Sequence, residues 1–296
     1  SVDFALNVGD TTAEVSSDYD LPPITLSFPA GSSANQAITV TIHDDAIWED
    51  DEILALDLTN NSGGISIGST NSHSLTIIDS ETIPDVDFVL ASAVIGEAET
   101  TRVIDVRISH ASEVATTVQY TLGAGNAEDP ADYELFADPD TLTFPATSTG
   151  NQSFTVTIHD DAIFEGAEYI RLDLQAASGL NIRGNTQHSL SITDSEIQPT
   201  VYFALADSTI GEADTTQVIT VSISHASEVE TTVEYTKTGG DVEPADFDLF
   251  ADPDTLTFAA ASTSAQTFNV TIHDDAVYEG DEYILLDLQN ASGLTI

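Results

Sequence analysis

Three segments of the chain concentrate groups able to do chemistry. HDDAIWEDDEILALDL at 43–58, HDDAIFEGAEYIRLDL at 159–174 and HDDAVYEGDEYILLDL at 273–288 are near-copies, and each gathers at least four carboxylates ahead of an alternating apolar run. Carboxylate oxygens are hard ligands. A cation such as Ca2+ takes roughly six to eight oxygens, including backbone carbonyls and water, and tolerates irregular geometry. The adjacent Asp160 and Asp161 face different sides of their loop, while Glu165 and Glu168 can return toward them across a turn at Gly166. Such a set repels itself and raises its own pKa values unless a cation intervenes. On the loop alone a plainer reading stays open, that of a solvated acidic turn in a chain rich in acid.

Other chemistries fit less well. His43, His159 and His273 each precede an Asp pair, but none has a second His nearby in sequence, so a hydrogen-bonding role is expected rather than a transition-metal site. No G-x-S-x-G elbow supports a Ser-His-Asp triad. Paired acids also serve glycoside hydrolysis, yet these acids are too crowded to leave room for a sugar, and no catalysis is expected. Trp48, Phe164 and Tyr278 share one loop position and are expected to pack under the loop. His110 and His225 lie in polar SHASE turns and read as surface residues.

The elements that position these acids follow from the repeat. A recurrence of about 115 residues matches the size of one domain, giving copies at 1–83, 84–198 and 199–296. In the middle copy, period-two alternation marks strands at Val86–Leu90, Ile104–Ile108, Val118–Leu122, Thr141–Phe144, Phe154–Ile158, Ile170–Leu174 and Leu190–Ile192. Seven short strands without a helical period argue for an antiparallel sandwich. If the strands run alternately up and down, the loops after the first, third and fifth share one end with the finish of the seventh. That end collects Glu97, Asp132, the loop from Asp160 and Asp161 to Glu165 and Glu168, and the terminal Asp194 and Glu196. VDFALNVGDTTAEVSSDYDL aligns best with VQYTLGAGNAEDPADYEL, so the first copy is expected to begin at its third strand. The third stops before its seventh strand, and both end copies, in a chain without Met, read as parts of a longer polypeptide. The joints DSETIPDVDF and DSEIQPTVYF are short and carry Pro but no Gly, which makes them stiff and brings neighbours end to end.

Composition narrows the partners. Fifty-one acidic residues against five basic ones give a net charge of −46, so nucleic acid and anionic lipid are poor partners and screening by salt favours compaction. Calcium does not balance this charge: a few ions at each of three clusters supply only roughly +12 to +24. With 41% hydrophobic residues in strand periodicity the chain can still bury a core. It has no Cys, hence neither disulfides nor thiolate metal sites. No apolar run nears the roughly 18 residues of a membrane span, so no direct membrane insertion is expected.

The acids after an apolar strand (D-D-x3-E-G-x-E), the DY of ADYEL and the TDSE strand terminus resemble the Calx-beta domain, and the likeness covers essentially the whole chain. Its most specific motif is IHDDAVYEGDEYILLDL, backed by TLTFPATSTGNQSFTVTI. The resemblance implies an all-β fold of tandem immunoglobulin-like antiparallel β-sandwiches of about seven strands, with Ca2+ at the distal loops. Carried over by position, it implies ligands Glu97, Asp132, Asp160, Asp161, Glu165, Glu168, Asp194 and Glu196 in the middle copy. In the third it implies Glu212, Asp246, Asp274, Asp275, Glu279 and Glu282, and in the first Asp18, Asp44, Asp45, Glu49, Glu52, Asp79 and Glu81. The function expected is that of a monomeric calcium-binding stalk, rigidified by ions at its joints, in a large adhesin-like protein that is extracellular or at the cell surface. Its partners would be calcium ions and neighbouring repeats. The alternative is a module recognising a cell-surface protein or glycan; near identity of the second and third copies favours the stalk.

Overall fold

Apolar and polar residues alternate where a strand lies half in the core, because successive side chains leave opposite faces of the pleated backbone. In the strand Thr101–Ile108, Ile104, Val106 and Ile108 are buried while Asp105 and Arg107 are exposed. The computed structural model describes residues 1–135, 137–249 and 251–296. Apart from two single-turn 3-10 helices, Glu97–Glu99 and Glu212–Asp214, every regular element among the described residues is a strand. The chain is a tandem series of all-β units.

The middle copy is a sandwich of two five-stranded sheets. One runs in the order Tyr133–Leu135, Gln152–Ile158, Thr101–Ile108, Asp85–Phe88, Asn181–Ile182. The other runs Asp140–Phe144, Thr116–Leu122, Ala167–Ser178, Gln187–Thr193, Ser92–Gly96. Val86, Phe88, Ile104 and Val106 from the first sheet meet Val118, Tyr120, Leu172 and Leu190 from the second in one core. Tyr120 also stacks on Phe154 with ring centroids 3.7 Å apart, and Tyr235 repeats the contact on Phe268 in the third copy.

All seven strands expected in this copy are present, with an addition that matters for the acids. The first strand stops at Phe88, leaving Leu90 exposed, and the chain then crosses to the opposite sheet as Ser92–Gly96. Only Ala93 and Ile95 of that strand turn inward, too few to register as alternation. It lies parallel to Gln187–Thr193 with Gly96 opposite Thr193. Glu97 and Asp194 therefore leave the sheet side by side.

The outer copies repeat parts of this plan. In the first, Val2–Leu6 pairs with Thr25–Leu26 and Glu52–Thr59, as Thr116–Leu122 pairs with Asp140–Phe144 and Ala167–Ser178. In the third, Thr231–Gly240 pairs with Asp254–Phe258 and Ile284–Ser292. Each copy has its own core, around Phe4, Tyr19 and Leu54 in the first and Val221, Val233 and Phe258 in the third.

Neighbouring copies are joined by more than the chain. Ile47–Trp48 forms a parallel ladder with Ala111–Ser112, and Ile163–Phe164 forms one with Ala226–Ser227. Trp48 and Phe164 thus belong to the junctions instead of packing beneath their own loops, and Tyr278 is 97% exposed. The SHASE turns are not free surface either. His110 Nε2 donates to Thr82 O (2.6 Å) while Ser109 Oγ accepts from Asp85 N (3.0 Å), clamping the connecting segment. His225 and Ser224 hold Ile197 and Thr200 in the same way.

Leu172 is fully buried between the sheets. Leu172→Ala should cost about 2–5 kcal/mol through lost burial and the cavity left behind, whereas Val103→Ala on the exposed face should stay within about 0.5 kcal/mol. Hydrogen exchange of the amides in Gln187–Thr193, which pairs with the strand carrying Leu172, reads the difference.

Candidate metal centre

The strand ends of the middle copy bring six of its acids into two adjoining groups. Asp132, Glu165 and Glu168 form one, and Glu97, Asp160 and Glu196 the other; in each group one oxygen per residue lies within 4.8 Å of the others. Asp132 precedes the strand Tyr133–Leu135, Glu165 follows Ile163–Phe164, and Glu168 is the second residue of Ala167–Ser178. Gly166, at φ 90°, makes the turn between the two glutamates, a conformation that costs an L side chain more than Gly.

The remaining acids of the motif build the frame. Asp194 Oδ2 accepts from the backbone N–H of Glu165 (2.7 Å) and Gly166 (2.8 Å), and its Oδ1 accepts from Glu196 N (2.8 Å). It ties both groups together. Asp161 accepts from Ile163 N at 2.6 Å, and Asp45 and Asp275 accept from Ile47 N and Val277 N in the other copies. Ser195 Oγ donates to Asp160 or Glu196, 3.0 Å from each. Asp132 accepts from Glu128 N, and its carbonyl accepts from His159 N.

Among the described residues the other copies form the first group only. Asp18, Glu49 and Glu52 converge in the first copy and Asp246, Glu279 and Glu282 in the third. Asp79 accepts from Glu49 N and Glu81 N, as Asp194 does from its equivalents. Asp44 and Glu81 share Ser80 Oγ, but no third carboxylate joins them among the described residues. In the third copy Glu212 and Asp274 are exposed and belong to no such group among the described residues. None of these groups contains His. His43 and His273 instead pair with Asp20 and Asp248, and His159 bonds to Pro130 O.

Crowding and burial leave these carboxyls electrostatically unsatisfied. Glu97 is 2% exposed and Glu168 5%, and Glu97 Oε1 and Glu168 Oε2 are both buried with no hydrogen-bond partner. Burial first, and then the charges of Asp132, Asp161, Glu97 and Glu228, push the Glu165 pKa up to about 8. Glu168 is raised by burial and by sharing hydrogen-bond distance with Asp132. Glu97 rises to about 7, mainly through burial, against a lowering contribution from Ser195 N–H. Ionised carboxylates cannot donate to one another, so the group must hold a proton or a cation.

The Calx-beta domain matches this chain three times, over residues 1–81, 83–196 and 194–295. The chain belongs to the Calx-beta domain family. Among solved structures it is similar to the calcium binding domain CBD12 of CALX1.1, at 16% identity over 70% of this chain and 80% of that one, with a TM-score of 0.36. It is also similar to the apo-form Calx CBD1 domain, at 20% identity over 39% of this chain and the whole of that one, again at 0.36. A curated relative, Adhesion G-protein coupled receptor V1 of Danio rerio, is 27% identical over 183 residues, 58% of this chain. The match spans 3% of that receptor's length.

Two acids of these Calx-beta units escaped sequence reasoning. Glu113 and Glu228 end the SHASE turns, and their charges act on the group in the preceding copy, Glu113 on Glu49 and Glu52 and Glu228 on Glu165 and Glu168. The recurrence of SHASE at 109–113 and 224–228 was the available signal.

A carboxyl whose folded pKa is raised stabilises the fold fully below its unfolded value and loses that contribution as pH climbs through the folded value. In calcium-free solution the middle unit should therefore lose stability from pH near 4.5 to about 8. Glu165→Gln combined with Glu168→Gln should flatten that decline, as measured by Tm against pH in EDTA. An undiminished slope in the double variant would exclude these two groups as its source.

Proposed function

We propose that the carboxylate groups at the ends of these Calx-beta units bind Ca2+, and that the chain acts as a calcium-stiffened extender within a large adhesin-like protein, secreted or at the cell surface. The observation that carries the reading is the pair of buried carboxylate oxygens without partners, Glu97 Oε1 and Glu168 Oε2, in two adjoining groups of the middle copy. Burying a charge without a partner is costly enough that such groups are paired, protonated or metal-bound. Every donor in the groups is a carboxylate oxygen, which suits a hard cation and not a transition metal.

Within this reading Asp132, Glu165 and Glu168 hold one site and Glu97, Asp160 and Glu196 another, with Asp194 positioning both. Asp18, Glu49 and Glu52 serve the first copy and Asp246, Glu279 and Glu282 the third. Bound calcium supplies positive charge where the carboxylates converge. The chain's own residues hold the oxygens in place through the Asp161 and Asp194 turns and keep water from Glu97 and Glu168. The Pro-bearing connectors, the His110 and His225 clamps and the parallel ladders support a stiff array. No helix among the described residues is long and apolar enough to cross a membrane. The role is one of binding and spacing, with no catalysis proposed.

Calorimetric titration of the EDTA-stripped chain should detect calcium binding, and Glu165→Gln with Glu168→Gln should remove part of the stoichiometry. An ion at 100 times its Kd adds about 2.7 kcal/mol per site, so Tm should rise with calcium, while small-angle scattering should show a narrower spread of interdomain arrangements. Absence of binding heat, together with equal Tm in EDTA and millimolar calcium, would defeat this reading.

A further inference from the structure

The acidic loop of the middle copy continues into a contact with the next copy. Ile163–Phe164 pairs in parallel with Ala226–Ser227, and Glu228 N donates to Phe164 O at 2.9 Å. Phe164 is followed at once by Glu165, so this bond sets residue 228 of one unit beside the acidic group of the other. The first junction repeats the arrangement: Glu113 N donates to Trp48 O at 2.9 Å, and Trp48 precedes Glu49. The segment presenting Glu228 is anchored in its own unit, where Ala226 and Ser227 are buried and Ser227 O accepts from Ala261 N. Glu228 itself is exposed, and its carboxylate lies outside the converging group of Asp132, Glu165 and Glu168.

The third copy carries the same three acids in a more open setting. Val277 and Tyr278, which take the positions of Ile163 and Phe164, form no strand and are exposed. There Glu282 is exposed, while its equivalent Glu168 is buried with one oxygen unpartnered. Three carboxylates supply at most about six oxygens, so a further carboxylate fits within the roughly six to eight that calcium takes.

We propose that the cation site of the middle copy is completed in trans by Glu228, so that one ion is held by two successive units and stiffens the joint directly. The inference rests on the calcium reading above. A carboxylate entering the site from the next unit makes ion affinity and interdomain order a single linked equilibrium, because the ion favours the arrangement that presents the extra ligand.

The test uses the whole chain, CaCl2 as the probe, and fluorophores placed on exposed positions of the middle and third copies. Calorimetry should show Glu228→Gln weakening one class of sites by roughly tenfold or more, as loss of a group tuning a metal site does. Calcium should narrow the distance distribution between the fluorophores in the unsubstituted chain and fail to do so in this variant. Glu230→Gln, two residues further along the same exposed turn, should behave as the unsubstituted chain. Circular dichroism in EDTA should be alike for all three, keeping folding apart from binding. If the unsubstituted chain binds calcium and Glu228→Gln matches it in affinity and distances, or Glu230→Gln weakens binding equally, completion in trans is overturned while the calcium reading stands. If the unsubstituted chain binds none, the calcium reading itself fails.

Discussion

Like charges brought within 4.8 Å of one another and partly removed from water repel strongly, and the architecture of each unit depends on how that repulsion is met. The sandwich does not avoid it. Strand ends from both sheets deliver Glu97, Asp132, Asp160, Glu165, Glu168 and Glu196 to one pole, and the backbone is bent there by Gly166 and by aspartates spent on turns. A fold that invests this much local structure in holding carboxylates together needs a positive partner or protons. The raised pKa values of Glu97 and Glu165 state the same constraint in the language of titration.

Two devices make the pole possible. One is the crossing of the first strand from sheet to sheet, which places Ser92–Gly96 beside Gln187–Thr193 and so sets Glu97 next to Asp194. The other is the division of labour between neighbouring acids. Asp160 joins a group while the adjacent Asp161 closes a turn on Ile163 N, and Asp194 satisfies three backbone N–H groups instead of entering a group. Acids that look equivalent in the motif therefore split into converging side chains and supports.

Much of this was legible in the residues. Alternation such as Ile104, Val106 and Ile108 marks strands because burial on one face is a local, period-two property, and strand parity gave the expectation that Glu97, Asp132, Glu165 and Glu168 share one end. Ser92–Gly96 was not legible, since two inward residues carry no usable period. Trp48, Phe164 and Tyr278 misled for a different reason. Their shared loop position invites one role, but the first two lie in ladders with the following unit and the last is exposed. The His110 and His225 clamps were hidden likewise, because their partners, Thr82 and Ile197, are 28 residues away.

By itself the sequence determined that the chain is a repeated all-β unit, where its strands lie, and that acid is concentrated ahead of one strand in every copy, because composition, period and spacing are properties of neighbouring residues. Only the tertiary structure decided which carboxylates converge, which hold the turns, and that Glu113 and Glu228 stand against the acids of the preceding unit. Those outcomes depend on sheet crossing, register and the contact between units, which bring together groups as far apart as Glu97 and Glu196 and leave no trace in local spacing.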